Sequence, residues 1–316
     1  MTSERIPLLI DTDPGVDDAL ALLMAFDDMQ SDHGRHEVVG LTIAAGNVGL
    51  AHTVANALKL CEVCGVDVPV FAGAAEPLVH AARDAAHVHG RDGFGDTGYA
   101  PAAGAAQAEH AALAILRLSH QHAGRLLLVA LGPLTNLALA LKLDPTLPRR
   151  IARCVVMGGA VSAHGNITPA AEFNIAFDPE AAHIVLSAFR VELADWEAVV
   201  AHGVPHAATE RWLAADSPRA RFYAGISAHT RSWARAGRGE RWHVADALAM
   251  AQALQPDGAL ELLERPLAVE LDGRHTRGAT VVDWNRQDGA ADNAALLMRY
   301  DQARFEAMLA AALGAG

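Results

Sequence analysis

The sequence predicts an α/β protein with a Rossmann-like core: a single open, mainly parallel mixed sheet with helices on both faces. Short apolar runs alternate with segments of helical periodicity through most of the 316 residues. The apolar runs are nearly continuous, which is typical of strands that are buried on both faces. Polar or Gly-rich turns follow several of these runs directly, and such turns meet at the carboxyl edge of a parallel sheet, where ligands bind.

The elements follow from these patterns. Apolar runs predict strands at Ile6–Ile10, Val38–Ala45, Pro69–Ala72, Leu126–Leu131, Ala152–Met157 and Val191–Ala194. Helical periodicity predicts helices near residues 17–28, 50–64, 107–122, 134–142, 179–189, 205–215 and 219–236. In the last third, we expect a helix after Val244, strands at 266–271 and 278–284 that extend or edge the sheet, and a final helix.

The composition favours one domain over residues 1–316. The chain is 52% hydrophobic and 20% charged, which is enough to bury a large α/β core. No Gly/Ser run, charge block or repeat marks a linker. The longest apolar stretch, residues 126–141, is interrupted by Gly132-Pro133 and Asn136. It therefore predicts a strand, a turn and a helix rather than a membrane span.

Charge and cysteine content limit the partners and the compartment. A formal net charge of −12 argues against nucleic acid or an anionic membrane surface as a partner. Residues 1–5 are polar, so we expect no signal peptide, and three cysteines suit a reducing cytoplasm. Cys61 and Cys64 form a CxxC within a helical pattern, and no second ligand pair has suitable spacing. We therefore expect buried core thiols rather than a zinc site.

Four aspartates crowd the turn between the first strand and the first helix: Asp11, Asp13, Asp17 and Asp18. Acidic residues commonly cap the first turn of a helix, but capping explains only one or two of them. The others would raise one another's pKa unless a counter-charge is present, and no Lys or Arg lies between Arg5 and Arg35. A phosphate would be repelled here. A hard divalent cation with oxygen ligands resolves the repulsion, so the turn predicts a metal site.

Several motifs occur together in a recognisable order: DTDPGVDDA (11–19), TIAAGN (42–47), HVHG (87–90), LGPLTNLALAL (131–141), VVMGG (155–159), GN (165–166) and AEFNIAFDPEAAHIV (171–185). In sequence and spacing they resemble the calcium-dependent nucleoside hydrolases, the inosine-uridine-preferring family. The resemblance covers nearly the whole chain. It implies the nucleoside-hydrolase fold, a nucleoside substrate, and a homodimer or homotetramer.

Position by position, the resemblance also implies a Ca2+ site and a ribose site. The implied calcium ligands are the carboxylates of Asp13, Asp18 and Asp246 and the backbone carbonyl of Leu131. The implied ribose contacts are Asp17 and Asn47 at the 2′- and 3′-hydroxyls, Met157 at the floor, and Asn166, Glu172 and Asn174 at the 5′-hydroxyl end. We expect Asp11 to support the turn rather than to bind the metal.

These residues suit hydrolysis of the N-glycosidic bond of a ribonucleoside to free base and ribose. Such hydrolysis passes through an oxocarbenium-like sugar, which a carboxylate-rich pocket stabilises. Bound calcium orients a water and lowers its pKa, and Asp13 takes the proton. A nucleotide phosphate would be repelled by Glu172.

Protonation of the leaving base is where the chain departs from the family. Many members carry a histidine, and others a tryptophan, immediately before the C-terminal calcium aspartate, whereas this chain has Ala245. A register shift would return Trp242 or His243 to the pocket. His89 matches a pocket histidine of the family.

Further base contacts are expected from one helix and one loop. His229 and Trp233 are four residues apart, so they share a helix face and are candidates to contact the base, although packing or surface roles are equally open. The Gly-rich segment from His80 to Gly98 suits a mobile lid, or an ordinary surface loop.

Other functions stay open at this point. The DTD sequence faintly resembles the nucleophile turn of haloacid-dehalogenase-like phosphatases, although Gly15 and the missing later lysine and acidic pair argue against it. Ala245 is compatible with a catalytically silent calcium-dependent ribose or nucleoside-binding protein. It is also compatible with a hydrolase of non-standard base preference, acting for example on nicotinamide riboside, whose base departs neutral. A zinc hydrolase built from the scattered histidines is disfavoured.

Overall fold

The computed structural model describes residues 5–162 and 164–315, and the side chain of Arg238 lies outside the description. The strands are β1 (Ile6–Thr12), β2 (His36–Ile43), β3 (Val70–Ala72), β4 (Leu126–Ala130), β5 (Ile151–Met157), β6 (Val191–Ala194), β7 (Val204–Pro205), β8 (Arg241–Trp242), β9 (Ala259–Arg265), β10 (Leu267–Val269), β11 (Thr280–Val282) and β12 (Ala294–Tyr300). The helices are α1 (Val16–Gln30), α2 (Leu50–Cys64), α3 (Ala86–His89), α4 (Ala111–Gln121), α5 (Thr135–Leu143), α6 (Phe173–Phe177), α7 (Pro179–Ala188), α8 (Trp196–Ala201), α9 (His206–Leu213), α10 (Pro218–Arg238), α11 (Ala245–Leu254) and α12 (Gln302–Ala312).

The main sheet has eight strands in the order β3-β2-β1-β4-β5-β6-β12-β9. Its strands pair in parallel except at β9, which runs antiparallel to β12. This arrangement confirms the predicted open, mainly parallel mixed sheet. The six strands predicted before residue 195 all form, with ends that differ by a few residues.

The order of the strands reverses between β1 and β4. From β1 the chain moves outward through β2 and β3, and it then returns to the other side of β1 as β4. At their carboxyl ends, the Leu131 N–H donates to the Asp11 carbonyl oxygen at 2.8 Å. Open α/β sheets bind ligands at such a reversal. The acidic turn after β1 and the Gly132-Pro133 turn after β4 therefore face the same crevice.

Both faces of the sheet are covered, which explains the continuous apolar strands. In β1, Leu8 and Ile10 join one hydrophobic core while Leu9 joins the core on the other face. Cys61 and Cys64 are buried in the first of these cores, as predicted. Burial raises the pKa of the Cys61 thiol to about 12 and that of Cys64 to about 11, so both remain protonated.

Helices α1 and α11, which pack in the core that contains Leu8 and Ile10, are buried on nearly all sides. Every residue of α11 is buried, as are most residues of α1, and the two helices contact each other. Helices that are apolar all round occupy protein interiors rather than surfaces. Asp18 lies in the first turn of α1 and Asp246 in the first turn of α11. The packing of these helices therefore sets the position of both carboxylates.

In the last third of the chain, the predicted helix after Val244 and the predicted final helix form as α11 and α12, but the predicted strands do not extend or edge the main sheet. The predicted strands at 266–271 and 278–284 form β10 and β11, which pair with each other in a separate two-stranded sheet. The main sheet ends instead in β12 and β9, which were not predicted as strands. Short apolar runs such as AALLMRY do not distinguish a strand from a helix by periodicity alone. Among the described helices, none combines the length and the hydrophobicity needed to cross a bilayer.

Leu22 tests the importance of the buried α1. Its side chain is 0% exposed, so we expect Leu22→Ala to lower the free energy of unfolding by about 2–5 kcal/mol through lost burial and a cavity. Urea unfolding measures this change. Leu260→Ala is the control, because Leu260 on β9 is 57% exposed. A loss at Leu22 no larger than at Leu260 would contradict the assignment of α1 to the core.

Candidate active site

Asp18 caps the helix that follows the acidic turn. One carboxylate oxygen accepts from the Thr12 hydroxyl at 2.6 Å, and the other accepts from the Gly15 N–H at 3.0 Å. The second oxygen also accepts from Asn47 Nδ2 at 2.9 Å. Capping of α1, the common role of an acidic residue in a first turn, thus accounts for part of the interactions of Asp18.

Asp13 is held in a slot between two glycines. Its Oδ2 accepts from the Asn47 N–H at 2.7 Å, whereas its buried Oδ1 has no hydrogen-bond partner among the described residues. A Cβ at Gly46 would lie 2.0 Å from Oδ2, and one at Gly132 would lie 2.3 Å from Oδ1. The slot therefore requires glycine on both sides, and it leaves one carboxylate oxygen without a partner. Such a group normally has a ligand or a counter-ion.

The aspartates form an oxygen cluster at the bottom of the cleft. Asp17, Asp18 and Asp246 each offer an oxygen, and these atoms lie within 4.8 Å of one another. Asp13 lies outside that group, although the resemblance predicts it as a ligand and predicts Asp17 as a ribose contact. The cleft-lining residues that the structure describes include no Lys or Arg.

The charge of this cluster calls for a cation. Burial raises the pKa of Asp246 well above its usual value, and the neighbouring Asp18 adds to the effect. Burial followed by repulsion from Asp18 does the same to Asp13. A bound cation removes this penalty because it favours the ionised form of each carboxylate. An all-oxygen donor set fits a hard divalent cation.

Asn174 connects two strand ends below the cleft. Its Nδ2 donates to the Leu131 carbonyl at 2.7 Å and to the Met157 carbonyl at 3.2 Å. A carbonyl oxygen has two lone pairs, so this bond leaves Leu131 able to accept once more. The role of Leu131 as a metal ligand stays a prediction.

Glu172 begins the short helix α6 and lies buried against the cleft. Its carboxylate accepts from the Asn174 N–H and from the Gly159 N–H, both at 3.0 Å. Burial raises the pKa of Glu172 to about 7 despite these bonds. Nearby, Asn166 Oδ1 accepts from the Phe173 N–H at 2.8 Å. The structure thus brings Asn166, Glu172 and Asn174 to one wall of the cleft, as predicted.

His89 binds the start of α1. Its Nδ1 accepts from the Val16 N–H at 3.1 Å, so the proton of the neutral ring lies on Nε2. Burial lowers the pKa of His89 to about 4. The Asp17 carboxylate is 3.8 Å from the same Nδ1, but an ion pair would require a proton where the Val16 N–H already points. His89 is therefore a neutral residue of the cleft.

Aromatic side chains form the upper part of the cleft. Trp196, Trp233, Trp242 and His243 all line it. Trp242 is buried and stacks on Tyr223 with ring centroids 6.0 Å apart. The His243 ring lies 5.8 Å from that of Trp196, edge to face. The two residues predicted to return to the pocket by a register shift therefore do reach its wall, beside Ala245.

His229 has the surface role that the sequence left open beside a contact to the base. His229 is exposed and does not line the cleft, whereas Thr230, Trp233 and Ala234 do. The Thr230 hydroxyl donates to the Val88 carbonyl at 2.9 Å, which fixes the rotation of α10. The face of α10 that meets the cleft is thus shifted by one residue from the predicted face.

The chain matches the family model described as inosine-uridine preferring nucleoside hydrolase over residues 8–307. The chain belongs to this family. The predicted resemblance is confirmed, and the phosphatase alternative has no support.

Several nucleoside hydrolases are similar to this chain in sequence or in structure. Pyrimidine-specific ribonucleoside hydrolase RihA of Salmonella typhimurium is 34% identical over 312 residues, covering 96% of this chain and 97% of that protein. Uridine nucleosidase 1 of Arabidopsis thaliana is 43% identical over 182 residues, covering 57% of this chain and 53% of that protein. The match therefore spans about half the length of this plant relative. The solved structure of an Inosine-Guanosine Nucleoside Hydrolase (IG-NH) superposes with a TM-score of 0.90 at 30% identity, covering 98% of this chain and 99% of that one.

Trp196 lines the cleft but was not predicted from the sequence. It begins α8 directly after β6, so it lies at the same carboxyl edge of the sheet as the other cleft residues. That position after a strand was the available signal. Phe173 also lines the cleft and sits in the predicted 171–185 motif, but it was not singled out; Ile167, another lining residue, directly follows the GN motif.

The Gly-rich segment is anchored at its centre. Phe94 is fully buried and packs against Tyr99, with ring centroids 5.6 Å apart. Gly95 has φ 72°, and a Cβ there would lie 2.7 Å from the Ile226 carbonyl of α10. At this position glycine permits close approach to α10, which differs from a role as a hinge. The lid stays a prediction.

The glycine slot around Asp13 makes a test of the metal site. We expect Gly46→Ala and Gly132→Ala each to weaken binding of a divalent cation about tenfold or more, since overpacking costs about 1–3 kcal/mol. Isothermal titration calorimetry measures the affinity. Gly49→Ala is the matched control, because a Cβ at Gly49 meets nothing within 4 Å. Equal affinities in all three variants would contradict the slot.

Proposed function

We propose that this protein hydrolyses the N-glycosidic bond of ribonucleosides, with Ca2+, to a free base and ribose. The observation that carries the proposal is the meeting, in one cleft, of the oxygen cluster, the Asn166–Glu172–Asn174 wall and an aromatic upper part. Family membership supports this activity. The homodimer or homotetramer and the cytoplasmic location stay predictions.

The metal would be held by Asp13, Asp18, Asp246 and the Leu131 carbonyl. Two observations support this set: the unpartnered oxygen of Asp13, and the close approach of the Asp18 and Asp246 carboxylates. Oxygen ligands, several of them charged, are the donors that Ca2+ prefers. When bound, the ion orients a water and lowers its pKa.

The ribose would lie across the oxygen cluster. Asp17, a member of the oxygen cluster, and Asn47 both line the cleft and would bind the 2′- and 3′-hydroxyls. Asn166, Glu172 and Asn174 would bind the 5′-hydroxyl from the opposite wall, while Met157 lies at the floor. A neutral diol suits this site, since carboxylates and amides accept and donate to hydroxyls without a charge mismatch.

Asp13 is proposed as the general base. Its free Oδ1 would accept a proton from the attacking water, and the glycine slot keeps that oxygen in one place. As the bond to the base breaks, positive charge develops on the ribose ring. The surrounding carboxylates then stabilise the ring electrostatically, because they are positioned before the reaction begins.

His243 is proposed to protonate the leaving base in place of the residue that Ala245 replaces. The half-buried His243 lines the cleft, and its ring lies against Trp196. Trp196 and Trp233 would stack on the base from the same upper part of the cleft. Stacking accepts purines and pyrimidines alike, and the relatives' names include uridine, pyrimidine and inosine-guanosine hydrolases.

The first test is release of ribose from inosine, adenosine, guanosine, uridine, cytidine and nicotinamide riboside, by a reducing-sugar assay with and without a calcium chelator. We expect release from at least one nucleoside, lost with the chelator and restored by calcium. Asp13→Asn should lower kcat about 10²–10⁴-fold, the usual contribution of a general base. Asp32→Asn, at an exposed aspartate, is the control.

The outcomes of this test separate the candidates. Activity that survives chelation in metal-free protein would contradict the metal-dependent mechanism. Retained binding of ribose or nucleoside, with calcium verified as bound and no turnover of any substrate, would identify a silent binding protein instead. The second candidate function is favoured by Ala245, which stands at the position where family members carry a histidine or a tryptophan.

A second test concerns the leaving group. We expect His243→Ala to lower kcat/KM for inosine or uridine about 10²–10⁴-fold, because the base then departs without an acid. The same change should cost nicotinamide riboside less than about tenfold, since its base leaves as a neutral molecule and needs no proton. His33→Ala, at an exposed histidine, is the control. Equal losses on both substrate types would exclude His243 as the acid.

A further inference from the structure

Two carboxyl groups outside the proposed metal and ribose sites meet behind the cleft wall. Asp195 is the N-cap of α8, where its Oδ1 accepts from the Ala198 N–H at 2.9 Å. Its Oδ2 accepts from the Val161 N–H at 3.1 Å, and Glu197 Oε2 accepts from the same N–H at 2.9 Å. Both carboxyl groups thus accept from one N–H, so they lie side by side, close enough to hydrogen-bond to each other when one of them is protonated.

A hydrogen bond between two carboxyl groups requires one proton for the pair. Two carboxylates at this separation cannot both be ionised without strong repulsion. Burial raises the pKa of Asp195 to about 8, and the hydrogen bond with Glu197 adds to the effect. Burial acts on Glu197 too, but hydrogen bonds from Asp195 and from backbone N–H groups lower its pKa overall. Asp195 therefore holds the proton and Glu197 the charge.

The pair binds the loop that carries Asn166. This β5–α6 loop comprises residues 158–172, of which all but Ala163 are described. Besides Val161, Glu197 Oε1 accepts from the Ser162 N–H at 2.8 Å and from the His164 N–H at 3.3 Å. The charge of Glu197 thus faces several backbone donors from one side of the loop.

The same pair adjoins the base side of the cleft. Trp196 lies between its two members in sequence, and its N–H donates to the Gly159 carbonyl at 2.9 Å. Gly159 in turn donates to Glu172 at 3.0 Å. The start of α8 is therefore bonded directly to the first part of the β5–α6 loop, and only through Gly159 to Glu172 at the other end of the loop.

We propose that Asp195 and Glu197 are positioning residues, a proton-sharing carboxyl pair that holds the β5–α6 loop so that Asn166 meets the 5′-hydroxyl of the ribose. This rests on the proposed function, which places the 5′-hydroxyl at Asn166. Neither residue of the pair lines the cleft. They act through the loop, so their effect falls on substrates that carry a 5′-hydroxyl.

The test compares a hydrolysed nucleoside, such as inosine or uridine, with its 5′-deoxy counterpart. We expect the wild type to prefer the 5′-hydroxyl substrate about three- to tenfold in kcat/KM, the value of one hydrogen bond. Glu197→Ala should bring this preference close to one, through a higher KM for the hydroxyl substrate with kcat nearly unchanged. Asp195→Asn should keep the preference, because the Asn amide still donates to Glu197 and its carbonyl still caps α8. The Asn NH2 can no longer accept from the Val161 N–H, but Glu197 still accepts from it. Glu37→Ala, at an exposed glutamate, is the control.

Hydrogen–deuterium exchange provides a measurement that needs no substrate. We expect faster exchange in residues 158–172 of Glu197→Ala and wild-type exchange in Asp195→Asn, with the remaining sheet unchanged in both, which also verifies folding. A preference and a loop exchange that survive in Glu197→Ala would overturn the pair as a positioning device. So would an Asp195→Asn variant that behaves like Glu197→Ala. A wild type without any 5′-hydroxyl preference, but with loop exchange changed as expected, would instead place the failure in the proposed 5′ contact.

Discussion

Three nearly unexposed carboxyl groups, those of Asp13, Asp18 and Asp246, meet at the point where the strand order of the sheet reverses. Buried like charges repel one another strongly, so the surrounding structure has to compensate for them. The N-termini of α1 and α11 present their positive dipole ends there. Hydroxyl, backbone and amide donors occupy both oxygens of Asp18, and a backbone N–H occupies Oδ2 of Asp13. The helix ends and these donors therefore compensate in part for a concentration of charge that the packing of α1 and α11 imposes.

Interactions within a short stretch of chain were predictable from the sequence. The turn after β1, the cap by Asp18 and the strand-turn-helix at residues 126–143 depend on neighbouring residues. Long-range packing decided the features that were missed. Ile226, Thr230 and Ala234 of α10 are buried on one face, where the Thr230 hydroxyl donates to the Val88 carbonyl. This packing leaves His229 exposed to solvent. The pairing of β12 with β6 and β9 likewise depends on which edge remains available after the other strands have formed.

Ala245 stands where many family members have a histidine or a tryptophan, and it illustrates how sequence position and spatial position can differ. The family resemblance concerns the residue immediately before the C-terminal aspartate in sequence. The cleft, however, is lined by every side chain that reaches its wall in space. Here β8 pairs with β7 and brings Trp242 and His243 to that wall from one strand end. A Cβ at Gly203 would lie 2.7 Å from the His243 ring, so glycine there makes room for the histidine. The departure from the pattern therefore leaves an imidazole at the cleft.

The floor and the walls of the cleft are held by different means. The floor depends on helices α1 and α11. These helices are stabilised mainly by burial of their apolar side chains, an interaction that has no preferred direction. The ribose wall combines the β5–α6 loop with the first turn of α6, and directional hydrogen bonds hold the backbone of the loop. Glu172 supplies them on one side, and the Asp195–Glu197 pair supplies them on the other. Carboxylates suit this task because each can accept several backbone N–H groups, and a shared proton limits the charge that must be buried.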